Sequence, residues 1–154
     1  MNIILNLLII ALLIALSIYD IRTYEIPLWI NISIFVIALI HLVLNRADWK
    51  AYVIGFFAVS VPLLLIYVAT KGNGIGGGDI KLMAVAGLYV GWQNIILAFL
   101  LGCILGAVIH VLRMKISKEG RVLAFGPYLS AGIIISLIYG NQIIGWYIHT
   151  VIGI

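Results

Sequence analysis

Asp20 and Asp79 are the residues of this chain whose type and position could do chemistry. Each lies at a junction between an apolar run and a polar loop, where a charge close to a membrane core is costly and usually has a purpose. Two carboxylates that share a site can hydrolyse a peptide bond, because the ionised member activates a water and the protonated member polarises the carbonyl. The plainer alternative is that each aspartate only marks a helix end in the headgroup region. Taken together, the two positions favour a catalytic pair.

The segment before Asp79 is unusually rich in glycine, with five glycines among the eight positions 72–79. Such a segment is not a stable helix, and it permits positive φ angles and close approach of another backbone. We therefore expect a helix to begin at Asp79, in a position like an N-cap. The glycines could line a groove in which an extended peptide docks. A plain loop is the alternative, whereas a phosphate loop is disfavoured because no Gly-Lys-Ser/Thr follows.

Asp20 closes the first apolar run, and Pro27 indicates that the helix ends before that proline. Asp20 would then lie at a helix C-terminus, where the helix dipole disfavours an anion, and Asp79 at an N-terminus, where the dipole favours one. We expect Asp20 to carry the shared proton and Asp79 to be the resting carboxylate. Arg22 and Lys81 are nearby cations that could reverse this assignment, so the titration of the whole pair is the meaningful quantity.

Other kinds of catalytic site have little support in the sequence. The histidines His41, His110 and His149 lie near helix ends or in apolar runs, and no Gly-x-Ser-x-Gly nucleophile elbow occurs. We interpret them as packing or interfacial residues. The single cysteine, Cys103, cannot form an intramolecular disulfide, and no Cys/His cluster indicates a metal site. The prediction is therefore a metal-free enzyme without a cofactor.

The composition places the chain in a membrane. Of its 154 residues 65% are hydrophobic and 9% are charged, whereas soluble domains carry about 25% charged residues. The net charge of +4 is dispersed along the sequence, without the clustered basic residues that indicate nucleic-acid binding. The length suits one domain over residues 1–154. The apolar stretch 3–18 has no basic residue before it, so we interpret it as a retained span and not as a signal peptide.

The hydropathy pattern predicts an all-α, polytopic integral membrane protein with about six transmembrane helices. The candidate spans are 2–20, 28–45, 51–70, 79–91, 94–113 and 122–140. The fourth span is short, so we expect it to be tilted or sheltered by protein. Pro62 should kink the third span, and residues 142–153 should extend the last one after a break at Gly140-Asn141.

Loop charges and glycine spacing set the expected orientation and packing. Seven lysines and arginines accompany the loops near 20–27, 71–78 and 113–121, and two lie on the other side. The first group, with both aspartates, is therefore predicted to face the cytoplasm.

The pairs Gly87/Gly91 and Gly102/Gly106 form small-xxx-small patterns that let helices approach closely. We expect these pairs to pack inside the monomer, with a homo-oligomer contact as the alternative.

Three segments carry a resemblance to a known family. They are Asp20-Ile21-Arg22 with Ile26-Pro27, Gly76-Gly77-Gly78-Asp79-Ile80-Lys81-Leu82, and Phe125-Gly126-Pro127. In type and order they resemble the motifs of the type IV prepilin peptidases and archaeal preflagellin peptidases, which are GxGD membrane aspartic proteases. The resemblance covers nearly the whole chain, from the first span to the last.

The resemblance implies that Asp20 and Asp79 are catalytic. It implies an endopeptidase that removes the leader of type IV pilin-like precursors, Flp/Tad-type precursors among them, at the cytoplasmic face of the cell membrane. The family cuts after a glycine, just before the hydrophobic helix of the precursor. The residues implied to bind substrate or shape the site are Gly76, Gly78, Lys81, Arg22, Pro27, Gly126 and Pro127.

The chain also departs from the family pattern. Leu28 stands where an asparagine usually follows Ile-Pro. Larger members carry an additional cytoplasmic domain with paired cysteines that is associated with N-methylation, whereas this chain is similar to the short, peptidase-only form. Methyltransferase activity is therefore not predicted. Two other functions stay open, a small proton- or cation-coupled transporter, for which no inverted repeat is found, and a non-catalytic subunit of a pilus assembly.

Overall fold

The computed structural model describes residues 3–116 and 124–153, and within these ranges the chain is helical with no β-strand. The helices are α1 (Ile3–Thr23), α2 (Leu28–Leu44), α3 (Trp49–Ala58), α4 (Ser60–Ala69), α5 (Gly77–Val90), α6 (Trp92–Ile116) and α7 (Gly126–Tyr147). A 3₁₀ turn, Arg46–Asp48, precedes α3, and a π-helical turn, Ile148–Ile152, follows α7. The predicted all-α class is confirmed.

Several of these helices suit a lipid bilayer. Within residues 3–116 and 124–153, four stretches are long and apolar enough to cross a membrane, namely Ile3–Thr23, Arg46–Ala69, Trp92–Leu112 and Gly126–Thr150, and α2 is a shorter apolar helix. Large apolar side chains on their outer faces, such as Leu65, Leu100 and Ile104, are more than half exposed. Such faces are costly in water but match hydrocarbon. The predicted multi-pass membrane protein is confirmed.

Helix α5 lies at the centre of the bundle. It packs against α2, α3, α4, α6 and α7, and every residue from Leu82 to Val90 is buried. Its 14 residues extend about 21 Å, which is shorter than the hydrocarbon core of about 30 Å. Helix α5 is therefore a short central helix that the surrounding helices bury. The prediction that protein shelters this segment is confirmed.

Glycines allow the central helices to touch backbone to backbone. A Cβ atom added to Gly87 of α5 would collide with the carbonyl oxygen of Gly55 of α3, and one added to Gly106 of α6 would lie 2.8 Å from the Phe125 ring. Likewise, a Cβ on Gly102 would lie 3.1 Å from the Tyr128 carbonyl oxygen. The expected packing of these glycines inside the monomer is confirmed.

Gly87→Ala should lower the stability of the bundle. The added methyl group has no space against the Gly55 backbone, and overpacking of this kind costs about 1–3 kcal/mol. The melting temperature of the purified protein in detergent measures the loss. Gly77→Ala in the same helix is the matched control, because nothing lies within 4 Å of its added Cβ. Equal melting temperatures for the two variants would contradict the close contact of α3 and α5.

Pro62 lies just after an interruption of the third span, where the sequence predicted a kink. The helix breaks at Val59, between α3 and α4, because Pro62 has no N–H to donate to the carbonyl of Ala58. The Ser60 hydroxyl donates a hydrogen bond to the Phe56 carbonyl, which satisfies another acceptor near the break. The segment thus continues as α4 after a one-residue interruption, and the whole stretch Arg46–Ala69 is long enough to cross a membrane.

The expected break at Gly140-Asn141 is wrong, because α7 continues through both residues to Tyr147. Gly140 faces α6, where an added Cβ would collide with the side-chain oxygen of Asn94. The glycine therefore serves close packing of α6 against α7. A glycine that permits close approach and one that ends a helix look the same in sequence.

Candidate active site

Helix α1 places Asp20 in the interior. The residue lies in the last turn of α1, on the same buried face as Leu13 and Leu16, and is 4% exposed. Its Oδ2 atom accepts a hydrogen bond of 2.9 Å from the backbone N–H of Gly126, the first residue of α7. The N-terminus of a helix favours a negative charge. Asp20 therefore lies at the C-terminus of its own helix but against the N-terminus of another.

Helix α5 places Asp79, though not as the sequence predicted. Gly76 is the N-cap and the helix begins at Gly77, so Asp79 is its third residue rather than its cap. The first N–H groups of a helix have no partner within the helix, so glycine fits there more easily than in the interior. A side chain at this third position can reach back to the N-cap backbone, and the Asp79 carboxyl does lie against Gly76, where an added Cβ would be 2.9 Å from Oδ2.

The two aspartates line a single cavity of about 430 Å³. The rest of its lining comes from the α1–α2 connection, the glycine segment and the start of α7. These residues are Tyr24, Glu25, Ile26, Gly76, Gly77, Gly78, Ala124 and Phe125. The end of the first span and the start of α5 thus meet at one end of the bundle, as the sequence predicted.

Two glycines of the Asp79 segment leave room for their neighbours. A Cβ on Gly76 would lie 2.9 Å from Asp79 Oδ2, and one on Gly78 would lie 2.8 Å from the Ile26 Cβ. In the segment 72–78, Gly72 has a positive φ of 80°, whereas Gly76 and Gly78 do not. Close approach, and not left-handed backbone, is therefore what requires glycine at positions 76 and 78.

The surroundings of Asp79 favour its neutral form. Burial raises the pKa of Asp79 to about 6, the nearby Asp20 carboxylate contributes to this rise, and the backbone hydrogen bond with Gly76 opposes it. Asp20 is buried as well, but it accepts the Gly126 N–H at the start of α7, and a hydrogen bond to a carboxylate opposes the cost of burying its charge. This geometry favours the reverse of the assignment expected from the dipoles of α1 and α5 alone.

Five of the residues implied to bind substrate or shape the site do not line this cavity. One is Gly126, whose N–H nevertheless donates a hydrogen bond to one of the two aspartates, and the other four lie at exposed positions or helix starts. Arg22 and Lys81 are exposed. Pro27 is the N-cap of α2, and Pro127 is the second residue of α7. Both prolines fix backbone at helix starts, where proline is tolerated. A part for these four residues in substrate binding stays a prediction.

Sequence reasoning missed several residues that line the cavity. Tyr24 has a φ of 57°, which is uncommon for a residue other than glycine, and its N–H bonds to the Asp20 carbonyl at 2.8 Å. This turn brings Glu25 and Ile26 to the cavity wall. No sequence signal identifies the turn at Tyr24. Phe125, however, stands in the Phe-Gly-Pro segment, which could have identified it.

Comparisons with known proteins agree on one family. A family model described as the type IV leader peptidase family matches residues 7–111. A prepilin leader peptidase/N-methyltransferase of Stutzerimonas stutzeri is 34% identical over 146 residues, which covers 89% of this chain and 50% of that protein. The protein of the same name from Bacillus subtilis is 35% identical over 148 residues, covering 94% of this chain and 59% of the relative.

The chain spans about half the length of these curated relatives. No solved structure is significantly similar to it. The family match covers more than half of the chain and includes both Asp20 and Asp79. On this evidence, the chain belongs to the type IV leader peptidase family.

Proposed function

We propose that this chain is a membrane-embedded aspartic endopeptidase that removes the leader from type IV pilin-like precursors, with Flp/Tad-type precursors as candidates. The observation that carries the proposal is the shared cavity of Asp20 and Asp79. Two carboxyl groups held at one cavity, one favoured as the anion and one as the acid, are the groups that metal-free peptide hydrolysis needs. Family membership supports the same reaction.

In the proposed mechanism Asp20 is the base and Asp79 is the acid. Asp20 takes a proton from a water as that water attacks the carbonyl carbon of the scissile bond. Asp79 gives its proton to the carbonyl oxygen, and collapse of the tetrahedral intermediate delivers a proton to the leaving amine. The Gly126 N–H orients the Asp20 carboxylate at 2.9 Å, and burial raises the pKa of Asp79 to about 6, which makes its protonated form available for this step.

The proposed site faces the cytoplasm. The cavity lies where the α1–α2 connection meets the glycine segment, and Arg22, Lys71 and Lys81 belong to this end of the molecule. Lysine and arginine are enriched in loops on the cytoplasmic side of membrane proteins. The leader of the precursor would then stay in the cytoplasm while its apolar helix lies alongside the spans.

The rate of cleavage should depend on pH in a bell shape. Activity needs Asp79 protonated, so kcat/KM should rise as the pH falls from 8 towards the Asp79 pKa of about 6. At lower pH it should fall again as Asp20 also gains a proton, since the pair titrates as a unit. Purified enzyme and one precursor, assayed from pH 4 to 8, give the profile. Asp48→Asn should not move it, and a flat profile would contradict the shared proton.

Co-expression with candidate precursors tests the function. Each precursor has a basic leader that ends in glycine, followed by an apolar helix, and the same precursor made without its leader provides the size marker. A mobility shift to the marker, with a new N-terminus directly after the glycine, is the expected result. A transporter or a non-catalytic assembly subunit would leave every precursor intact. That outcome would overturn the proposal.

A further inference from the structure

A second cavity adjoins the one that holds the two aspartates. It has a volume of about 340 Å³, and it shares Gly76, Asp79 and Phe125 with the first. Apart from these and Gly74, its lining residues are Leu63, Ile75, Phe99 and Cys103. Its size falls within the range of small-ligand pockets, about 300–1,000 Å³. The site therefore continues past Asp79 into an apolar space.

The break in the third span explains why this space exists. Before the break, α3 packs against both α5 and α6, whereas after it α4 packs mainly against α5. Leu63, at the start of α4, is buried, and Phe99 and Cys103 lie one turn apart on α6. Residues four apart lie on the same face of a helix. The second cavity is thus walled by α4 on one side and α6 on the other.

The two cavities differ in chemistry on either side of Asp79. The first presents the carboxyl groups of Asp20 and Glu25 together with Tyr24. Among the described residues that line the second cavity, the ionisable groups are the shared Asp79 and the thiol of Cys103. A precursor with a charged leader and an apolar helix has the same division, polar before the scissile bond and apolar after it. Burial of apolar side chains in such a cavity is favourable.

From this match we propose that the second cavity binds the apolar side chains that directly follow the scissile bond. The leader then lies in the first cavity, where Glu25 suits its basic residues. This inference rests on the proposed function, and it adds the direction in which the precursor lies across Asp79. Cys103, the one cysteine of the chain, provides a native probe in the cavity wall.

Disulfide cross-linking tests the direction. The Asp20→Asn variant holds the precursor uncleaved, and each precursor carries one cysteine at a position before or after the scissile bond. Diamide oxidises any thiol pair that meets. We expect adducts between Cys103 and the first few positions after the bond, and none with the leader. Adducts with leader positions, or no adduct at all, would overturn the proposal.

A shifted thiol is the matched control for this cross-linking. The double variant Cys103→Ser, Ile104→Cys moves the only thiol to the next residue of α6, where Ile104 is 59% exposed on the outer face. Its adducts with the same positions should be lost. Equal adduct yield from position 104 would show that the precursor lies outside the helices and not in the cavity.

Filling the cavity tests its occupant. Cys103→Trp should slow cleavage at least tenfold for a precursor with Phe or Leu after the scissile bond, and less when that residue is Ala. Ile104→Trp is the matched control and should cleave both at the parental rate. If Cys103→Trp also cleaves both precursors at the parental rate, the second cavity does not bind these side chains, while the proposed function stands. If the parental chain cleaves neither precursor, the inference and the proposed function both fail.

Discussion

Asp20→Asn and Asp79→Asn should each reduce leader cleavage by about 10²–10⁴-fold, the usual contribution of a positioned acid or base. Asparagine keeps the shape of each side chain but can neither take a proton from water nor give one to the carbonyl. Initial rates with one purified precursor measure the effect. Because both carboxyl groups line one cavity, the double variant should lose little more than either single variant, since residues that act as a unit are not additive.

Asp48→Asn is the matched control for these variants. Asp48 is an exposed aspartate at the start of α3, and it lies outside the cavity of Asp20 and Asp79. It should cleave at the parental rate. Membrane insertion of each variant is checked by its yield in the membrane fraction. An inserted Asp20→Asn or Asp79→Asn protein that cleaves at the parental rate would falsify the catalytic pair.

Gly126→Ala should reduce cleavage by about 10–100-fold, which is the scale of loss when a catalytic group is misplaced by about 1 Å. An added Cβ would lie 2.7 Å from Asp20 Oδ2 and 3.1 Å from the Leu16 Cδ2 atom. The carboxylate or the start of α7 must therefore move. The Gly126 N–H that orients Asp20 would move with it. The loss should appear in kcat more than in KM, because the change acts on the base and not on the apolar cavity.

Gly145→Ala is the matched control for this glycine, since it lies in the same helix and nothing is within 4 Å of its added Cβ. Alanine favours a helix interior over glycine, so this variant should melt at or above the parental temperature and cleave at the parental rate. Melting temperatures for both variants separate a misplaced carboxylate from an unfolded protein. Parental kcat for Gly126→Ala would show that Gly126 does not position Asp20.

Sequence patterns predicted the helices and the meeting of Asp20 with Asp79 because both depend on local signals. Runs of about 20 apolar residues require helices in lipid, and the two aspartates lie at run ends that share one side by loop charge. The protonation states could not be predicted in this way. They depend on Gly126, which lies 106 positions from Asp20 in the chain, and contacts of that range leave no periodicity in a single sequence.

The structural part of each glycine could not be predicted from the sequence either. Their number before Asp79 predicted a site, but not that Gly77 and Gly78 would be helical. Gly140 was interpreted as a break, although its function is to let α6 and α7 touch. The second cavity gave no sequence signal either, because it is formed by Leu63, Ile75 and Phe99 from three separate segments. What a glycine or an apolar residue does depends on the neighbour that tertiary packing supplies.

The proximity of positions 20 and 79 is the most direct test of a shared catalytic site. Cysteines replace both aspartates in a Cys103→Ser background, and a short bifunctional thiol reagent reaches membrane vesicles from the cytoplasmic side. Intact mass then counts the reagent molecules on each chain. The shared cavity predicts one reagent molecule that joins both cysteines. Two reagent molecules on separate cysteines, or one cysteine that this side never reaches, would contradict a single site for the two acids.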